Sequence, residues 1–95
     1  MTFKIGGLYE YDRSDRESGK YGIYPNRTLS ASAAGWLRLG DKFVVVDFEE
    51  TTSTRVLKVL VAGSGERGFV YQSKSRDWHF QEVLTAEDEP DGNSV

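Results

Sequence analysis

The sequence predicts a small all-β domain, and three observations carry that prediction. Short runs rich in Val, Ile, Tyr, Phe and Trp recur along the chain with polar, glycine-bearing segments between them. Aromatic residues make up 13% of the sequence, and aromatic and β-branched side chains suit a pleated, half-buried surface. No stretch of useful length repeats apolar residues at the helical period. The 95 residues, 38% hydrophobic and 28% charged, allow one domain with one core. That mixture is too polar for a membrane protein and too apolar for full disorder.

Taken in order, Phe3-Lys4-Ile5 and Leu8-Tyr9-Glu10-Tyr11 read as one strand bent at Gly6-Gly7. Asp12 to Gly19 is almost wholly polar and reads as a long first loop. Lys20-Tyr21-Gly22-Ile23-Tyr24 is extended and stops at Pro25, which lacks the N–H that a ladder uses. Leu29 to Gly35 is the one place suited to a short helix: Ser30 can cap it, small residues fill it and Gly35 can end it. After a Gly40-Asp41 turn, Lys42 to Glu49 is a strand rich in Val and Phe. Arg55 to Ala62 follows the polar connector Glu50 to Thr54, at hairpin spacing. Gly63 to Arg67 is a second turn, and Gly68 to Gln72 a third strand. Beyond the polar loop Ser73 to Asp77, Trp78 to Val83 alternates as a fourth strand. There Trp78, Phe80 and Glu82 share one face, and His79, Gln81 and Val83 the other. The whole describes a small barrel of antiparallel strands, about five or six, over residues 1–84, in which closure removes exposed edges. Residues 85–95 are acidic and read as a flexible tail.

With the strands placed, the chain resembles an SH3-like small barrel. Gly7-Leu8-Tyr9-Glu10-Tyr11-Asp12 is similar to the ALYDY-type opening of SH3 domains, and Leu37 to Val46 to their apolar–basic–apolar, Gly-acidic, strand segment. Gly65-Glu66-Arg67-Gly68-Phe69-Val70 resembles the turn and strand near their end. The resemblance runs from Leu8 to about Gln72 and implies a peptide-binding barrel. The chain departs from the family in four places. It has Arg55, Val56 and Leu57 where the family carries a Trp pair, it lacks the later Pro and Tyr of the ligand site, its connection from Asp12 to Trp36 is longer, and Trp78–Val83 is an extra strand. Only Tyr9 and Tyr11 carry over from the family's ligand site. A groove for a polyproline helix needs parallel aromatic walls, which these departures remove.

Composition narrows the chemistry. With no cysteine there is no disulfide, thiolate nucleophile or cysteine-held metal. The N-terminus shows no apolar leader and no run approaches a spanning helix, so the expectation is a cytoplasmic protein. Net charge is −3, which opposes a phosphate-binding role for the chain as a whole. His79 is the only histidine. A small hydrolase using it would need a nucleophile beside it and a carboxylate behind it, and no such motif is present. Neither metal-ligand spacing nor a cofactor motif occurs: Gly63 to Gly68 fits a dinucleotide pattern by letter but is followed by strand residues instead of a helix. The acidic groups Asp12/Asp15/Glu17, Asp47/Glu49/Glu50 and Glu87/Asp88/Glu89/Asp91 read as solvated loops and tail.

The aromatic excess is the most informative feature. A core this small cannot enclose all of Tyr9, Tyr11, Tyr21, Tyr24, Trp36, Tyr71, Trp78 and Phe80, so some of them are expected on the surface. Tyr and Trp are enriched in binding hot spots. The sequence therefore points to a protein-interaction module with Tyr9, Tyr11, Tyr21, Tyr24, Trp36 and Tyr71 as candidate binding residues, of a kind that suits a small viral or mobile-element accessory protein. Another protein is the expected partner. Single-stranded nucleic acid, held by aromatics and scattered Arg and Lys, is the alternative. An edge strand such as Trp78–Val83 could also pair two copies of the chain.

Overall fold

Seven antiparallel strands form the domain in a computed structural model that describes residues 2–14, 19–26 and 32–83. They are β1 Leu8–Tyr11, β2 Lys20–Ile23, β3 Gly35–Arg38, β4 Lys42–Glu50, β5 Thr54–Val61, β6 Arg67–Ser73 and β7 Phe80–Glu82. β4, β5 and β6 make a meander, set where the sequence places its most continuous β-branched runs. β1 pairs with β4 and β7 with β1, which gives one five-stranded sheet in the order β6-β5-β4-β1-β7. β2 and β3 form a separate two-stranded sheet, with Tyr21 opposite Leu37 and Gly22 opposite Trp36.

Period-two alternation fills the space between the sheets. Tyr9 and Tyr11 of β1, Tyr21 and Ile23 of β2 and Leu37 of β3 meet Phe43 and Val45 of β4 there. Leu57, Val59 and Val61 of β5, Val70 of β6, Phe80 of β7 and the N-terminal Phe3 complete this core. β4 changes phase at a bulge between Val45 and Asp47: Val46 turns outward, and Phe48 then packs against the core opposite Leu57.

Among the described residues, one backbone bridge joins the two sheets. The Tyr24 N–H donates to the Phe69 carbonyl and the Phe69 N–H to the Tyr24 carbonyl, both at 2.8 Å. Gly68 permits this approach, because a Cβ there would lie 2.6 Å from the Tyr24 carbonyl oxygen and 2.7 Å from Ile23 Cγ2. Near the other end, the Gly40 N–H donates to the Tyr11 carbonyl at 2.7 Å, tying β1 to the β3–β4 turn.

The all-β class stands, but several expectations are corrected. The expected barrel is not closed: both sheets are open, since one bridge joins them and β3 and β7 remain edges among the described residues. Seven strands replace the five or six expected, because Gly35–Arg38, read in part as a helix end, is a strand held by β2. Phe3–Ile5 is not a strand, although Phe3 is buried. The expected strand over Trp78–Val83 starts only at Phe80. Lys74–His79 winds instead as short 3₁₀ turns kinked at Arg76, which carries Asp77 to the guanidinium of buried Arg55. The remainder of the expected helix, at 29–31, and the acidic tail at 85–95 lie outside the described residues. No helix among the described residues is long and apolar enough to cross a membrane.

Candidate binding surface

The structure divides the six expected binding residues into two groups. Tyr9, Tyr11 and Tyr21 project inward and are closed off from solvent. Tyr9 packs on Phe3 and Phe43, while Tyr11 and Tyr21 meet edge to face at 5.0 Å. Their hydroxyls have partners inside the protein: Tyr9 accepts from the Lys4 N–H at 2.7 Å and Tyr11 donates to Ser14 Oγ at 2.7 Å. Their expected surface role is corrected on this ground, since a ring of the core cannot be a contact ring.

His79 is corrected in the same way. The sequence places it in a regular strand, on one face with Gln81 and Val83, but the 3₁₀ turns break the alternation and leave His79 fully buried while Gln81 and Trp78 are exposed. The His79 Nδ1 shares a hydrogen bond of 2.5 Å with the Tyr21 hydroxyl, inside a shell made by Tyr11, Tyr21 and Trp78. This shell gives a substrate no route to the ring. Phe80 is buried beside it.

Tyr24, Trp36 and Tyr71 lie on the outer side. Trp36 is 42% exposed and Tyr71 44%, with Tyr24 half-buried. Strand register brings them into one area. Trp36 is opposite Gly22, and the Tyr24 ring lies so close over Gly22 that a Cβ there would be 3.0 Å from it. Gly22 is thus a notch, with Tyr24 folded across it and Trp36 beside it. Tyr24 is bridged to Phe69, and Phe69 shares its face of β6 with Tyr71. Trp36, Tyr24, Phe69 and Tyr71 therefore form an aromatic platform across β3, β2 and β6. Phe69 is absent from the candidates read from sequence, although its i, i+2 spacing to Tyr71 marks it as a neighbour on the same face.

Cations flank the platform. Lys20 Nζ lies 4.4 Å from the centre of the Trp36 ring, and Lys58 Nζ lies 6.0 Å from that of Phe69. Arg38 is exposed two residues beyond Trp36, and Arg67 two residues before Phe69. Carboxylates stand at the margins: Asp47 opposite Lys58, Glu49 opposite Val56, and Glu66 across Gly35.

A second polar group lies on the opposite, inner side and is structural. Arg55, 4% exposed, has its guanidinium against Asp77, with Gln72 Oε1 at 3.4 Å, Glu50 at 3.6 Å and the Phe3 ring at 4.9 Å. Lys74 closes the group on Glu50 at 2.9 Å. Burying a guanidinium requires such partners. The hydrogen bond from Lys74, joined by the charge of Arg55, holds the Glu50 carboxyl below its ordinary value. A carboxyl lowered in the folded state stabilises above its unfolded pKa, and that contribution is lost as pH falls through the folded pKa. The wild type is accordingly expected to melt above a Glu50→Gln variant at neutral pH. The two melting temperatures should converge as pH descends through the carboxylate range. A gap independent of pH would show that the charge of Glu50 contributes nothing.

No family model, curated protein or solved structure matches the chain.

Proposed function

We propose that this domain is a non-catalytic binding module that engages a macromolecular partner through the outer aromatic platform of β2, β3 and β6. The observation that carries this reading is the exposure of Trp36 and Tyr71 on one strand-built face, in a domain that buries most of its other large rings. Leaving large aromatic rings in water forgoes the stabilisation that burial gives them, and clustered Trp and Tyr are the residues that concentrate binding energy at interfaces. Aromatic content alone suggests another protein as the partner, in a cytoplasmic setting that suits a cysteine-free chain. The segments that resemble SH3 domains support a small interaction domain, but not that family's ligand groove, because Tyr9 and Tyr11 belong to the core. Inaccessibility of His79 argues against the hydrolase reading.

The test is a Trp36→Ala/Tyr71→Ala double variant of the full chain. It is expected to melt within about 1–2 kcal/mol of the wild type, because both rings are surface groups. It should also lose the partner that wild-type protein retains from host lysate. A variant that keeps the same partner at the same yield would remove the platform from the binding surface.

A further inference from the structure

We infer that the platform takes single-stranded nucleic acid, an inference that rests on the binding-module reading and names its occupant. Charge carries it. The platform and its flank are built by β2, β3, β5 and β6, and not one of these four strands contains a carboxylate. Their outward charged side chains are Lys20, Arg38, Lys58 and Arg67, all positive. The chain's overall −3 does not describe this face. Four of the 15 acidic residues are Glu87, Asp88, Glu89 and Asp91, and residues 1–83 hold eleven acids against all 12 Lys and Arg.

The arrangement matches the needs of an unpaired strand. From β6 to β3 the platform crosses two strand-to-strand steps, roughly 10 Å, which allows more than one ring to receive a base. Bases stack on aromatic faces without regard to sequence, and cations beside the rings meet the phosphates between stacked bases. Lys20 and Lys58 already stand beside Trp36 and Phe69 in that way. A duplex hides its base faces in its own stack, and a sheet face has no projecting helix or ribbon to enter its major groove. Of the nearby carboxylates, Asp47 and Glu49 line one recess with Lys58 and Phe69, and Glu66 lies against Gly35, so they bound the path of an anionic chain on those two sides.

The experiment uses fluorescence anisotropy of the full chain with labelled oligo(dT) and oligo(rU) of about 20 nucleotides, at about 50 and 200 mM salt. The expected result is binding to either probe that weakens roughly 7- to 18-fold between the two salts, as two or three phosphate contacts on a single strand imply. A Trp36→Ala/Tyr71→Ala variant, assayed well below its melting temperature, should lose at least about tenfold in affinity, since stacking supplies the sequence-independent part of binding. A Lys20→Gln/Lys58→Gln variant should flatten the salt dependence. No binding at the lower salt overturns the proposal, as does binding that the aromatic variant leaves unchanged. Equal competition by poly-L-glutamate also overturns it, in favour of an acidic polypeptide on the same face. If the oligonucleotides fail while the aromatic variant still loses a protein partner, only this occupant falls and the binding-module reading stands.

Discussion

Tyr11→Ala is expected to lower the unfolding free energy by about 3–5 kcal/mol, the range for removing a large buried ring. For a domain of this size that corresponds to a fall of at least about 12 °C in Tm. Tyr11 has no solvent exposure, and its ring contacts Tyr21 at 5.0 Å, Phe80 at 5.6 Å and His79 at 6.0 Å. These rings come from β2, β7 and the 3₁₀ turns, so truncation opens a cavity where three parts of the chain converge. Tyr11→Phe keeps the ring and removes only the bond to Ser14 Oγ, with an expected cost of about 0.5–1.5 kcal/mol. Thermal or urea denaturation followed by circular dichroism measures both. A Tyr11→Ala protein as stable as wild type would place Tyr11 outside the core and undo the division between packing and platform aromatics.

That division explains what could be read from the sequence. The strands β4, β5 and β6 were legible because their signals are local: continuous β-branched runs separated by polar and glycine-bearing turns. β3 was not, because Gly-Trp-Leu-Arg is too short to carry a propensity signal and is held by pairing with a strand well before it in the chain. Alternation tells which residues share a face but not which face is inside. In Leu8-Tyr9-Glu10-Tyr11 both faces offer apolar area, and the tyrosines take the core because Phe3, Phe43 and Phe80 meet them there. For the same reason Phe69 could have been grouped with Tyr71 from sequence, whereas Trp36 and Tyr24 could not be joined to them without the bridge between sheets. His79 was misplaced because the attraction of Asp77 to Arg55 spans 22 residues. It replaces strand by 3₁₀ turns, after which neighbouring His79 and Phe80 are both buried.

Gly68→Ala tests the junction on which the platform depends, and is expected to destabilise by about 2–4 kcal/mol, from overpacking together with weakened hydrogen bonds. The new methyl would meet the Tyr24 carbonyl oxygen and Ile23 Cγ2 at less than van der Waals distance. The oxygen cannot retreat cheaply, because it accepts the Phe69 N–H at 2.8 Å in the only backbone bridge between β2 and β6 among the described residues. Gly63→Ala is the control: Gly63 has a φ of 90° but open space around it, so it should cost only the roughly 1–2 kcal/mol of a left-handed alanine. Hydrogen exchange separates the two. Gly68→Ala should speed exchange at the Tyr24 and Phe69 amides beyond its effect on global stability, and Gly63→Ala should not. Because the bridge holds Tyr24 and Trp36 beside Phe69 and Tyr71, Gly68→Ala should also weaken partner binding under conditions where the variant is fully folded, although Gly68 is itself buried. If its cost and its exchange pattern match those of Gly63→Ala, the two sheets do not meet closely at Gly68, and a platform continuous across them loses its support.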